Sequence, residues 1–303
     1  MPWTFDNIPD QSGRTAIITG ANTGLGFETA RMLAQRGANV ILACRNLGKG
    51  SEAMRRILEL RPTGSVTLES LDLSDLGSVA SFGQKMLATQ PRIDLLINNA
   101  GVMVPPRGKT AQGFELQFGT NHLGHFALTA PLLPRLAKQP GARVVVVASM
   151  AQRFGTISVE DPNWEHRRYN GWLAYGQSKL ANMMFALELQ RRMTRAGSSL
   201  IATAAHPGWT ATDLQRSDPM SNLLNPMLAM PVAKGALTTL RAATDPAATG
   251  GSYWGPTGFA GMWGWTGEVP IPAKATDAAM AAKLWERSEE LTGVRFDFGA
   301  LGG

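Results

Sequence analysis

The chain predicts an α/β fold: a doubly wound parallel sheet in a single domain over residues 1–303. Three observations predict it. Short apolar runs alternate with longer amphipathic stretches, the pattern of strands joined by crossover helices. Val144–Ala148 is four valines and an alanine, an unbroken apolar run suited to a central strand buried on both faces. Ala16-Ile17-Ile18 leads into a glycine-rich turn, and an amphipathic stretch from Phe27 to Arg36 leads out, so strand, turn and helix follow in order.

Taken in order, the predicted strands are Thr15–Thr19, Asn39–Ala43, Val66–Ser70, Leu95–Ile97, Val144–Ala148, Ile201–Ala205 and Ser252–Trp254. The predicted helices are Leu25–Arg36, Gly48–Arg61, Leu76–Thr89 with Ser74 as its N-cap, Gln112–Ala137 broken near Pro131 and Pro134, Leu173–Ala196 and Val232–Thr244. Two segments break the rhythm, an insertion at 152–171 and a Trp-, Met- and Leu-rich stretch at 209–231 that carries Pro219, Pro226 and Pro231. Both follow strand C-termini, where open α/β sheets bind ligands. The second reads as a substrate lid. Trp164, Tyr169 and Trp172, with Tyr253, Trp254, Phe259, Trp263 and Trp265, are candidates for an apolar wall beneath it; ordinary core packing is the alternative.

Composition narrows the classes. A chain that is 44% hydrophobic and 17% charged suits a globular protein. The net charge of +6 is spread out, with Arg167-Arg168 and Arg191-Arg192 only pairs, and no zinc-finger or RNP-like spacing accompanies it, so no nucleic-acid partner is expected. No run approaches the ~20 apolar residues of a membrane helix, and Met1–Asp10 lacks an apolar leader, so no membrane anchor is expected. Cys44 is the only cysteine, in keeping with a cytoplasmic location. His122 and His125 lie three apart without a third ligand in a metal-binding pattern, so no metal is expected.

Thr19-Gly20-Ala21-Asn22-Thr23-Gly24-Leu25-Gly26 carries the first chemistry. Gly20 permits a tight turn, and Gly24 and Gly26 let a phosphate approach the backbone and the helix pack on the sheet. The helix N-terminus then faces the anion. The spacing is Gly-x3-Gly-x-Gly, and a glycine turn without ligand is the alternative. Tyr175 and Lys179 are four apart, hence on one helix face. An ammonium beside a phenol lowers a pKa that is ordinarily about 10, allowing proton exchange with a carbonyl or hydroxyl oxygen; two surface residues would show the same spacing. Ser149 ends the valine strand, where its hydroxyl can meet the same substrate oxygen or simply cap a turn. Asn98-Asn99-Ala100-Gly101 follows the fourth strand.

In their order, Thr19-Gly20-x3-Gly24-x-Gly26, Asp72-Leu73, Asn98-Asn99-Ala100-Gly101, Asn121, Ser149, Tyr175-x3-Lys179 and Pro207-Gly208 resemble the short-chain dehydrogenase/reductase family over about Gly13 to Gly208. The resemblance implies a Rossmann-type oxidoreductase. Its site would be Asn121, Ser149, Tyr175 and Lys179, with Tyr175 as general acid or base, Lys179 lowering its pKa and holding the ribose, Ser149 polarising the carbonyl and Asn121 fixing a relay water. It places the cofactor on Gly20, Asn22, Thr23, Gly24, Leu25, Gly26, Asp72, Leu73, Asn99, Ala100, Gly101, Pro207 and Gly208, and it implies a homodimer or homotetramer built through the Tyr175 helix and its neighbour. The long interval from Ser149 to Tyr175, Ala43-Cys44-Arg45-Asn46 and Gly119-Thr120-Asn121-His122-Leu123-Gly124-His125-Phe126 resemble the retinol-dehydrogenase and protochlorophyllide-reductase branch.

The second strand ends Cys44-Arg45-Asn46 with no acid to bind a ribose 2′-hydroxyl. Arg45 can pair with a 2′-phosphate, so NADP (NADPH) is expected over NAD. The expected substrate is an apolar carbonyl or alcohol. A non-catalytic NADP-binding sensor or scaffold is the other class, and the intact Asn121, Ser149, Tyr175 and Lys179 set speaks against it.

Overall fold

The computed structural model describes residues 2–210 and 229–301. Eight strands form one sheet: β1 (Thr15–Thr19), β2 (Asn39–Cys44), β3 (Val66–Ser70), β4 (Leu95–Asn98), β5 (Arg143–Val147), β6 (Ile201–Ala205), β7 (Tyr253–Pro256) and β8 (Thr266–Glu268). Their order is β3-β2-β1-β4-β5-β6-β7-β8. β1 to β7 run parallel, and β8 pairs antiparallel with β7. The chain reverses direction across the sheet between β1 and β4, which opens a crevice at the strand C-termini.

Side-chain alternation along the strands divides the interior into two cores. Ile17, Ile41, Leu96, Val144 and Val146 face one; Ala16, Ile18, Leu42, Leu95, Ile97 and Val145 face the other. Helices α1 (Gly24–Gln35), α2 (Leu47–Leu58) and α6 (Val232–Thr244) cover the second core. The first is covered by α3 (Leu76–Thr89), α4 (116–137), α5 (Gly171–Arg195) and α7 (Ala278–Thr292). That is the expected doubly wound arrangement.

Several boundaries differ from the sequence expectation for identifiable reasons. The α3 cap is Asp75, whose carboxylate accepts from Gly77 N–H at 2.9 Å, not Ser74. Ser74 instead donates through N–H and Oγ to Asp72, at 2.9 and 2.6 Å. α4 starts at Leu116 rather than Gln112, because the Glu115 carboxylate caps Gln117 and Phe118 N–H. It contains a π turn, Gly119–Leu123, and runs through both Pro131 and Pro134 without a break. β8 and α7 escaped sequence reading. β8 is three residues of little apolar content, and the buried apolar positions of α7 are only Ala281, Leu284 and Trp285.

α5 is buried at every position from Ala174 to Leu189, although it carries Gln177, Ser178, Lys179, Asn182 and Glu188. One side rests on the sheet; the other is covered by the chain's own C-terminal segment. Trp285 sits 5.0 Å from Phe126 and 5.8 Å from Phe185 between ring centroids, and Phe296 sits 4.8 Å from Phe126. Between Ala174 and Leu189 no position of this helix is exposed. Of the 209–231 lid, 211–228 lies outside the described residues; its ends meet in a bridge between Thr210 and Met230. No helix among the described residues is long and apolar enough to cross a membrane.

Trp285 is 2% exposed and joins the C-terminal segment to α4 and α5. Trp285→Ala is expected to destabilise the protein by roughly 3–5 kcal/mol, read from the denaturant midpoint.

Candidate active site

The glycine turn is built by close approach. Gly20 has φ +66°, and a Cβ there would lie 3.0 Å from Ala100 Cα and Cβ. A Cβ on Gly26 would meet Gly20 O at 2.5 Å and Asn99 Nδ2 at 2.6 Å. Gly26 therefore lets α1 pack closely on the turn and the β4 end, one of the two roles its spacing suggested. Thr23 precedes α1, and Gly24 and Leu25 open it. Thr19 Oγ1 accepts from Asn99 and Ala100 N–H, each at 2.9 Å, and Asn99 Nδ2 donates to Thr19 O at 2.8 Å. Two adjacent strand ends, β1 and β4, are pinned together by this set.

A cavity of about 270 Å³ opens at these ends, lined by Gly20, Asn22, Ala43, Arg45, Asn46, Lys49, Leu71, Asp72, Leu73, Ala100, Gly101, Val102 and Thr120. Of the expected cofactor residues, Gly20, Asn22, Arg45, Asp72, Leu73, Ala100 and Gly101 line it, whereas Thr23, Gly24, Leu25, Gly26, Asn99, Tyr175, Lys179 and Pro207-Gly208 do not. Arg45 and Lys49 flank the N-terminus of α2, whose cap Asn46 accepts from Lys49 N–H at 2.9 Å. Arg45 is exposed, and among the described residues no carboxylate pairs with it. A cavity rimmed by a helix N-terminus and two cations suits a phosphate on a nucleotide ribose.

A second cavity, about 300 Å³, is lined by Met103, Ser149, Met150, Ala151, Arg153, Phe154, Trp172, Tyr175, Gly208, Trp209 and Met262. Its wall is mostly apolar. The sequence pointed to Trp172 and to Trp209, but the other aromatic candidates stand elsewhere. Tyr253 and Trp254 are buried in β7, Phe259 is 75% exposed, and Trp164 packs on Tyr169 under the Arg167 guanidinium. Met103, Met150 and Met262 replace them; adjacency to Gly101 and to Ser149 was the signal for the first two. Val104, beside Met103, holds φ +46°, a strained value for a β-branched residue. Gln117 fixes it: its Oε1 accepts from Val104 N–H at 2.9 Å, and its Nε2 donates to Gly171 O at 2.9 Å. One buried amide therefore staples the pocket wall to the start of α5.

Between the cavities stand the four expected catalytic residues, and the fold brings them together. Ser149 leaves β5 and caps the following turn, accepting from Ala151 N–H at 3.2 Å, so it is both a cap and a site hydroxyl. It lines the same pocket as Tyr175. Lys179 Nζ donates to Val147 O at 3.0 Å and lies 5.8 Å from the Tyr175 ring centroid. Asn121 sits in the π turn of α4; its amide accepts from Val102 N–H at 2.8 Å and donates to Val102 O at 3.0 Å and Ser178 Oγ at 2.9 Å. A Cβ on Gly101 would lie 3.0 Å from Asn121 Oδ1 and 3.6 Å from Lys179 Nζ, so the cavity floor touches both. Pro207 and Gly208 follow β6, where a Cβ on Gly208 would strike Met262 O at 2.5 Å.

Electrostatics follow burial. Desolvation pushes the Tyr175 phenol up to about 12, against the Ser149 hydroxyl, which favours the phenolate. Desolvation lowers the Lys179 ammonium to about 8. The expected depression of the phenol by its neighbouring ammonium is thus not what this environment leaves; burial wins. Among the described residues, no three His, Cys, Asp or Glu side chains gather as a metal site, and His122 and His125 have separate partners, Ser288 and the Thr19–Asn121 pair.

A doubly wound sheet with a basic nucleotide-sized cleft beside a buried Ser-Tyr-Lys group defines a dinucleotide-fold oxidoreductase. The comparisons agree: residues 14–222 match the short chain dehydrogenase family model. The chain is 40% identical to human (Homo sapiens) retinol dehydrogenase 13, covering 93% of this chain and 85% of that one. It is 39% identical to Mus musculus retinol dehydrogenase 12, covering 94% and 88%. A crystal structure of a protein from Mycobacterium paratuberculosis superposes with a TM-score of 0.84 at 47% identity, covering 98% of this chain and 100% of that one. The chain belongs to the short chain dehydrogenase family.

Lys179 held near 8, below its ordinary 10.5, means that the unfolded chain binds the extra proton between those values. Native stability therefore rises with pH across that window. Lys179→Met is expected to be more stable than the parent at pH 7 by on the order of 2–3 kcal/mol, with the gain shrinking toward pH 10.5. Denaturant titrations at both pH values check it; a loss of stability at pH 7 overturns it.

Proposed function

We propose that the protein transfers hydride between NADP(H) and an apolar carbonyl or alcohol, with Tyr175 exchanging the proton. The observation that carries this is the position of Ser149, Tyr175 and Lys179 where a basic, helix-capped cleft meets an apolar pocket. The bound nicotinamide supplies or accepts hydride. The Arg45 guanidinium and Lys49 hold a 2′-phosphate, while Asp72 and Leu73 border the adenine end. Ala100 and Gly101 floor the cleft toward Lys179.

At the reacting end, a substrate oxygen reaches Ser149 Oγ and the phenol together. Ser149 orients the oxygen. Tyr175, whose phenol burial keeps protonated, is placed to donate its proton to a developing alkoxide in reduction and to take it back in oxidation. Lys179, 2% exposed and bonded to a strand carbonyl, holds positive charge where a phenolate would form. The apolar wall of Met103, Met150, Phe154, Trp172 and Met262 keeps water from competing for that proton. Retinol dehydrogenases among the relatives act, by their names, on an apolar polyene alcohol, which fits this wall. A binding-only protein gains nothing from a desolvated ammonium beside a buried phenol.

The wild-type protein is expected to bind NADPH more tightly than NADH by tenfold or more, about 1.4 kcal/mol, and Arg45→Ala to erase most of that difference. Equal affinities in the native protein, by fluorescence titration, overturn the preference. Tyr175→Phe is expected to lower kcat for a lipophilic aldehyde by roughly 100–10,000-fold while NADPH still binds. Retained turnover removes the proton-transfer role.

A further inference from the structure

His125 has no part in the chemistry described above, yet it is fully buried at 0% exposure on α4. Its Nδ1 lies 2.8 Å from Asn121 O and its Nε2 lies 2.8 Å from Thr19 Oγ1. A carbonyl oxygen only accepts, so Nδ1 carries the hydrogen, and Nε2 must accept from the Thr19 hydroxyl. That hydroxyl has one proton. Its other contact as a donor, to Ile97 O, is 3.4 Å and is the weaker choice. The two Thr19 lone pairs receive the N–H groups of Asn99 and Ala100. Every group in the chain from Asn121 to Ala100 is therefore used once, with one consistent set of directions.

We infer that His125 is a positioning residue for the cofactor cleft: its ring bridges the π turn holding Asn121 to the ends of β1 and β4 that floor the cavity. This rests on the functional reading above. The physical content is a distance constraint. Asn121 Oδ1 approaches the Gly101 floor, and Ala100 packs on Gly20, so a shift of α4 against the strand ends reshapes the cleft from both sides. Asn121 and Thr129 tie α4 to the β4 side, through Val102 and Asn98, but among the described residues the ring is the only side chain of α4 that hydrogen-bonds β1. A charged imidazolium would break the directions, since Nε2 would then donate toward Thr19 while its lone pairs are already taken. Burial prevents it, holding the ring near 4, and the Lys179 charge pushes the same way. The bridge therefore stays neutral across the working range.

The test separates the bridge from general stability. Thr19→Val removes the hydroxyl at nearly constant volume, and Thr19→Ser keeps it. His125→Asn keeps a donor near the Nδ1 position but falls short of Thr19. NADPH affinity is read by tryptophan fluorescence, and KM for a lipophilic aldehyde is read separately. Thr19→Val and His125→Asn are each expected to weaken NADPH binding roughly tenfold. The double variant is expected to be no weaker than the worse single, because the bridge is one unit. Thr19→Ser is expected to recover most of the affinity lost in Thr19→Val, with aldehyde KM unmoved in all of them. Additive losses, or native affinity in Thr19→Val, overturn the inference. If His125→Asn fails to fold, His125→Gln, which keeps an acceptor near the Nε2 position and loses the donor to Asn121 O, decides it: native NADPH affinity there overturns the inference. A wild-type protein that does not bind NADPH sinks the functional reading and this one with it, whereas wild-type binding with unaffected variants sinks this one alone.

Discussion

An ammonium stripped of water sets the terms for the rest of this molecule. Lys179 is 2% exposed, and its one hydrogen-bond acceptor among the described residues is the carbonyl of Val147. Burying such a charge is costly unless the surroundings have a use for it. The surroundings here are a strand end, a phenol and a floor glycine, each at the C-terminal edge of the sheet. That edge is where a parallel sheet offers unpaired backbone carbonyls and where helix N-termini point toward the crevice. The same edge can therefore hold a cation and receive an anionic cofactor, and the fold concentrates both there.

The helix that carries Tyr175 and Lys179 shows how placement is secured. Amphipathic helices bury one stripe, but α5 is buried all round over Ala174–Leu189. The sheet takes one side, α4 another, and Trp285, Phe296 and Phe298 from the C-terminal segment close the last. Aromatic rings at 4.5–6.3 Å centroid spacing fill that layer, and the Trp285 indole N–H donates to Glu289 at 3.1 Å. The C-terminal segment thus completes the core on that side of α5.

Insertion 152–171 plays a comparable part on the substrate side. Trp164, at 4% exposure, stacks under Arg167, and Glu115 accepts from Tyr169 Oη at 3.0 Å while its own N–H donates to Asn163 at 2.9 Å. Burial raises the Glu115 pKa, offset in part by its capping hydrogen bonds to Phe118 and Gln117. The insertion is consequently a bracket between the head of α4 and the head of α5, and the pocket wall from Met103 to Met150 is set by what it holds in place.

The sequence by itself determined the alternation of strands and helices and pointed to Ser149, Tyr175 and Lys179, because local periodicity and fixed spacings record those features directly. The ends of helices were less legible where a side chain several residues away decides the cap, as Asp75 displaces Ser74. Only the tertiary structure decided which aromatic residues face the pocket, since a tryptophan in the core and one in a cleft read alike in one dimension. It alone also showed which atoms Gly26 packs against and that burial raises the Tyr175 phenol. His125 escaped for the same reason: its partners, Thr19 and Asn121, sit on different elements, and their meeting depends on how α4 lies against the sheet edge.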